Sequence, residues 1–158
     1  MIVVNDLTSP LTTELLIRAI EPRDAAEVSV LAEQLGYYRS VSDINSWIES
    51  LPTRAENQAA FVACVGHEIV GWIEISVQYH LQSAPHALIG GLVVKDGHRN
   101  RQIGLRLCEY VEAWTWDRGL SLLRVTSRST RLEAHRFYER NGYQLTKLSH
   151  VYEKQRPA

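Results

Sequence analysis

Residues 87–105 read Ala87-Leu88-Ile89-Gly90-Gly91-Leu92-Val93-Val94-Lys95-Asp96-Gly97-His98-Arg99-Asn100-Arg101-Gln102-Ile103-Gly104-Leu105. The first eight are apolar almost throughout, the pattern of a strand buried on both faces. Residues 95–98 make a turn. Ile103, Leu107, Val111 and Trp114 then mark one face of a long helix that Gly119 ends. A strand entering a helix through a basic turn offers an anion site. The first helical N–H groups have no partner within the helix, and the helix dipole favours negative charge there. Arg99 and Arg101 add charge, and Gly104 lets a bulky ligand approach the backbone. A pyrophosphate suits this turn. A solvated basic turn before an ordinary helix suits the same residues.

Upstream, residues 15–20 read as a strand, and Glu21-Pro22 starts a helix that runs to Gly36. Ser42 is the expected N-cap of a second short helix through Ile44, Ile48 and Leu51. Residues 59–65 and 69–77 are strand-like and joined by Gly66-His67-Glu68, a hairpin signal; a loop with Pro85 follows. Downstream, residues 122–126 read as a buried strand and residues 132–140 as a helix stopped by Asn141-Gly142. Residues 143–153 return as one bent strand or two short ones. Early hairpins and late strand–helix–strand units predict an α/β (α+β) domain with a mixed, mostly antiparallel sheet of six to seven strands. About four helices flank it.

The chain has 158 residues, enough for one domain with a real core; residues 1–13 read as an N-terminal extension and 155–158 as a frayed tail. Seventeen Lys and Arg nearly balance 18 Asp and Glu, so no bulk positive field exists to hold nucleic acid or an anionic membrane. Apolar runs of about eight residues fall far short of the roughly 20 that span a bilayer. With no signal-peptide pattern, the expected location is the cytoplasm. Cys64 and Cys108 stand apart without a CxxC partner, and the histidines are scattered, so no metal is expected.

Residues 99–104 resemble motif A of the GCN5-related N-acetyltransferase (GNAT) family, in which Arg or Gln is followed by spaced glycines. Arg99 and Gly104 match its ends, and Gln102 stands where the first glycine is usual, although Gln resists positive φ. Residues 134–143, Ala-His-Arg-Phe-Tyr-Glu-Arg-Asn-Gly-Tyr, resemble motif B of the same family, with Tyr143 in place of Phe. The resemblance implies acetyl-CoA as co-substrate, without a metal. It implies that Leu92, Val93 and Val94 lie along the pantetheine arm. It places the pyrophosphate against Arg99, Asn100, Arg101, Gln102, Ile103, Gly104 and Leu105. Arg131 stands where relatives carry a cofactor-contacting asparagine; a solvated helix-start charge is the equal alternative. Tyr138 matches the residue that protonates the departing thiolate, and a phenol is a feasible general acid.

The strands at 87–94 and 122–126 lack the carboxylate that many relatives use as base. Glu74 is the best carboxylate in its place, and His86 the other candidate. Tyr37, Tyr38, Asp43, Trp47 and Glu49 suit either a pocket for a cationic amine or a plain helix surface. The expected function is acetyl transfer to a primary amine, by direct attack in a ternary complex. The alternative is an acyl-CoA-binding domain of the same fold, weak in catalysis, acting as sensor or subunit. The resemblance also implies a homodimer through the late strands, with Trp116 adding apolar contact.

Overall fold

A computed structural model describes residues 14–99 and 101–158; the expected N-terminal extension and Asn100 lie outside the described residues. The elements run β1 (Leu15–Ala19), a 3-10 turn (Pro22–Asp24), α1 (Ala25–Gln34), α2 (Val41–Ser50), β2 (Gln58–Val65), β3 (Glu68–His80), β4 (Ser83–Val94), α3 (Ile103–Asp117), β5 (Leu123–Val125) and α4 (Leu132–Arg140). The chain divides into two compact units, Met1–Thr126 and Ser127–Ala158.

The first unit carries a five-stranded sheet in the order β1-β2-β3-β4-β5. The first four strands are antiparallel neighbours, and β5 joins β4 in parallel. That is a mixed, mostly antiparallel sheet with helices, as expected. Five strands form among the described residues rather than six or seven, because residues 143–158 carry no regular structure. Their apolar residues alternate poorly, and within their own unit no strand lies beside them to supply a ladder.

Packing follows the strand alternation. Ile73 and Ile75 lie fully buried with Leu107 and Val111 of α3. Gly71 permits the close approach, since a Cβ there would meet the Val93 carbonyl at 2.8 Å and the Leu107 side chain at 3.2 Å. On the other face Val62, Cys64 and Val93 form a cluster with Val28, Leu31, Ile44 and Ile48 of α1 and α2, and Trp72 packs against it. Asp24 ties the start of this layer down: Arg18 reaches its two carboxylate oxygens at 2.8 Å each, and the Glu21 N–H donates to it at 2.8 Å.

Some boundaries differ from the sequence expectation. Ser40, not Ser42, caps α2, its Oγ accepting from the Asp43 N–H at 3.0 Å. Pro85 sits inside β4 rather than in a loop. The β3–β4 register shifts between Gln78 and His80, so the missing proline N–H falls at an irregularity where the ladder loses nothing. On α3 the buried face continues through Thr115 in place of Trp114. Trp114 instead stacks under Arg118, whose guanidinium carbon lies 3.5 Å from the ring centroid.

The second unit contains α4. Its C-terminus matches the expectation: the Gly142 backbone has φ 88°, and Tyr143 N–H donates to the Tyr138 carbonyl at 3.0 Å.

Candidate active site

β4 pairs with β5 at only three positions, the last being Ile89 with Val125. Directly after it, β4 carries one extra residue: Glu74 of β3 faces Gly91 and Ile75 faces Ile89, which leaves Gly90 as a bulge. From Gly90 to Val94 the β4 edge on that side has no strand partner among the described residues. Gly90 is exposed in mid-strand, and Leu92 and Val94 are half-buried, so β4 is not buried on both faces as expected. The result is a short open edge whose amide and carbonyl groups can pair with an extended, amide-bearing ligand.

The open edge leads into the basic turn. Lys95 N–H donates to the Val70 carbonyl at 2.8 Å, and His98 N–H to the Lys95 carbonyl at 3.0 Å. Gln34 of α1, which the sequence did not single out, clamps the turn with both ends of its amide. Its Nε2 donates to the Val94 carbonyl at 2.7 Å, and its Oε1 accepts from the Asp96 N–H at 2.9 Å. Lys95 binds Glu68 at 2.6 Å, and that hydrogen bond and charge hold the Glu68 carboxyl below its ordinary range. Arg99 is exposed and paired with Asp96 at 3.1 Å, and Arg101 is exposed.

Gln102 precedes the first turn of α3 with φ 60° and ψ 13°, a positive φ found in no other non-glycine among the described residues. The position therefore keeps the left-handed conformation natural to glycine, at a cost of about 1 kcal/mol. Ile103 is buried as the first anchor of α3, and Gly104 and Leu105 are half-buried behind it.

Beside the bulge, Glu74 lies over Gly90: a Cβ on Gly90 would stand 3.3 Å from the Glu74 carboxyl carbon. Gln58 Nε2 donates to Glu74 Oε1 at 3.0 Å and fixes the carboxylate. The Trp72 indole covers Gly91, where a Cβ would lie 2.7 Å from the ring, and its Nε1 is a buried donor without a partner among the described residues. The sequence did not single out Trp72; only the adjacent Gly90 and Gly91 hint that a ring needs the space. Glu74 and Trp72 face the side on which α1 and α2 pack. Tyr37 and Tyr38 stand exposed on the α1–α2 connection.

His86 is 2% exposed. Its Nδ1 lies 3.2 Å from the Ala84 carbonyl and its Nε2 3.2 Å from Arg124 Nη1. A carbonyl only accepts and a guanidinium only donates, so Nδ1 carries the hydrogen and Nε2 accepts. Its lone pair is thus engaged, and the ring is not placed to take a proton from an amine. Glu74 is the stronger of the two base candidates.

In the second unit, Tyr138 sits in the last turn of α4, its ring edge-on to Phe137 at 5.2 Å and to Tyr143 at 5.5 Å. Arg131 is exposed as the N-cap of the same helix. Elsewhere, a groove of about 430 Å³ lies between β1 and α3, lined by Leu15, Ile17, Arg106, Tyr110 and Ala113. It shares no residue with the β4 edge. Among the described residues no group of three His, Cys, Asp or Glu is placed to hold a metal, and no helix is long and apolar enough to cross a membrane.

The mixed sheet and the strand entering α3 through a basic turn are those expected; the bulge at which the parallel pair parts was not foreseen. Residues 25–143 match the Acetyltransferase (GNAT) family, and the chain belongs to it. The chain is 36% identical over 77 residues to the aminoalkylphosphonate N-acetyltransferase of Salmonella typhimurium, an alignment that spans 48% of this chain and 50% of that protein. Among solved structures, an aminoglycoside N-acetyltransferase in complex with CoA superposes with a TM-score of 0.81 at 19% identity, covering 92% of this chain and 98% of that one. An aminoglycoside 6′-N-acetyltransferase from Acinetobacter baumannii gives a TM-score of 0.78 at 18% identity, covering 90% and 99%. At these identities the likeness is one of fold.

Proposed function

We propose that residues 1–158 act as one cytoplasmic N-acetyltransferase domain that moves an acetyl group from acetyl-CoA to the primary amine of a small molecule, as a homodimer. The observation that carries the reading is the open edge of Gly90–Val94 running into the turn before α3. The edge suits the amides of the pantetheine arm, and the turn suits the pyrophosphate. Family membership and the names of the relatives agree with it, and two buried free thiols suit a reducing compartment.

In this reading the chain supplies orientation, polarisation and proton traffic. The amine nitrogen forms its bond to the thioester carbonyl carbon while backbone N–H groups at the β4 edge hold the carbonyl oxygen. Glu74 receives the amine proton, directly or through one water. The carbon–sulfur bond breaks, sulfur keeps the electron pair, and Tyr138 gives it a proton. The Tyr138 role rests on the motif B resemblance. Trp72, Tyr37 and Tyr38 supply aromatic surface for a cationic amine.

A thiol-release assay with acetyl-CoA over a panel of amines tests the reading, with calorimetry on Gly104→Val alongside. Turnover on at least one amine, and lost acetyl-CoA binding in the variant, are expected. Unchanged affinity in Gly104→Val means the donor is not at this turn.

A further inference from the structure

Glu74 is fixed by an uncharged group. Gln58 Nε2 donates to its Oε1 at 3.0 Å. A carboxylate only accepts, so it is the amide nitrogen that faces it. Glu68 shows the other way to hold a carboxyl: Lys95 binds it at 2.6 Å and keeps it below its ordinary range, which makes it a weaker base. An amide aims a carboxylate as a lysine does, without a second charge to neutralise it.

Gln58 is itself well anchored. It opens β2 opposite Ser76, and Ala60, two residues on, is opposite Glu74. Gln58 and Glu74 are therefore diagonal neighbours on one face of the sheet, within reach of a long side chain. The residue before Gln58 ties down the strand start. Asn57 N–H donates to the Arg54 carbonyl at 2.9 Å, its carbonyl accepts from the Val77 N–H at 2.7 Å, and its Oδ1 accepts from the Tyr79 hydroxyl at 3.1 Å. With Oε1 of Glu74 engaged, Oε2 lies over the bulge, 3.4 Å from where a Cβ on Gly90 would stand. The open edge of β4 begins at that residue.

Within the sheet Glu74 faces Gln58 and Ala60 of β2, Gly90 and Gly91 of β4, and Trp72 and Ser76 along β3, none of which carries a charge. The charged groups of neighbouring elements are engaged elsewhere or exposed. Glu27 of α1 accepts from the Ile69 N–H at 3.0 Å, five residues away along β3. Arg124 of β5 is bonded to His86, on the side of Leu88 away from Glu74. Arg54 donates to Ser50 Oγ at 2.8 Å, and the other charged residues from Glu33 to Glu56 are exposed, as are Tyr37 and Tyr38.

We propose that Gln58 is a positioning residue of the reaction: its amide turns Oε2 of Glu74 to the bulge, where the amine gives up its proton, and lends the carboxylate no neutralising charge. This rests on the acetyltransferase reading, in which Glu74 receives that proton. The N–H bond breaks, nitrogen uses the electron pair to attack the thioester carbon, the proton passes to Oε2, and Gln58 keeps its own.

The test follows thiol release from acetyl-CoA against pH, with propylamine, ethanolamine or aminoethylphosphonate, whichever the parent turns over fastest. Gln58→Met keeps the length and loses the bond. Its kcat should fall by about 10–100-fold, with KM for acetyl-CoA within about twofold. Gln58→Glu sets a second carboxylate beside Glu74 and disfavours the ionised form, so the limb on which kcat rises with pH should move up by about one pH unit. Gln58→Lys favours the ionised form, so the limb should move down by a similar amount, to a lower plateau. Titration of the amine is common to all variants, so the differences between profiles belong to the protein. A residue that only tied β2 to β3 would change the melting temperature and shift neither limb. Glu74→Gln is the control, with kcat expected to fall by about 10²–10³-fold. If that control is inactive while Gln58→Met keeps the parent's kcat, or while the charged variants shift the limb in one direction or not at all, the proposal is overturned and Glu74 stands as the base. If Glu74→Gln keeps the parent's kcat, the base assignment falls and this proposal with it, while acetyl transfer stands. If the parent releases thiol with none of the three amines, the acetyltransferase reading falls as well.

Discussion

At Gln102 a single side chain bears a conformation that suits glycine. The sequence shows the departure from the motif plainly, but not how the backbone answers it. A Gln there could have reshaped the turn; instead the turn imposes φ 60° on the Gln. The pairing of Val94 and Asp96 with Gln34 fixes the turn's geometry before Gln102 is reached. Gln102→Gly should therefore stabilise the fold by up to about 1 kcal/mol, seen as a melting temperature a few degrees higher. A lower melting temperature would mean the Gln side chain contributes more than its backbone costs. Tyr138→Phe keeps the ring packed against Phe137 and Tyr143 and removes only the hydroxyl. If Tyr138 is the general acid, kcat should fall by about 10²–10³-fold with acetyl-CoA affinity almost unchanged. Retention of most of the parent's kcat shows that water protonates the thiolate. Loss of affinity makes Tyr138 a cofactor contact.

Elements were legible in proportion to how locally their signals act. The apolar run of β4, the α3 anchors Ile103, Leu107 and Val111, and the Asn141-Gly142 stop of α4 all stand where the residues place them. What the sequence hid is relational. No local signal marks the Gly90 bulge, since it exists only as a mismatch in count between β3 and β4. The His86–Arg124 pair joins residues 38 positions apart. The Arg18–Asp24 pair, which joins β1 to the turn before α1, was equally invisible, and it dictates an acid response. Burial alone would push the Asp24 carboxyl up, but hydrogen bonds from Arg18 and the Glu21 N–H, with the Arg18 charge, hold it below its ordinary value of 3.8. A carboxyl depressed on folding contributes stability above its unfolded value and loses it as pH falls through the folded one. Asp24→Asn should cost about 2 kcal/mol near neutrality. The gap from the parent should shrink below about pH 4. An equal gap at both pH values, by urea unfolding, would rule out the charge as the source.

For the whole molecule, the proposed homodimer concerns residues 143–158. Leu145, Leu148, Val151 and Tyr152 are 73%, 82%, 87% and 89% exposed, a row of apolar side chains on a segment without regular structure. The strand expected over 143–153 does not form within the chain, and pairing with a second copy would give these residues both a ladder and cover. Sedimentation should show twice the 18.0 kDa chain mass at tens of micromolar. Truncation after Tyr143 should leave a monomer. A single 18.0 kDa species for the full chain disposes of the dimer.

The parting of β4 from β5 also bears on how the protein keeps in solution. Among the described residues Gly90–Val94 has one unpaired strand edge that includes Leu92, Val93 and Val94, the kind of segment on which sheets of separate molecules can join. In the proposed reading the donor's amides occupy that edge, so acetyl-CoA would act as a plug as well as a reactant. On that reading, molecules short of donor would expose the adhesive strand, and their tendency to aggregate should follow the supply of their own substrate.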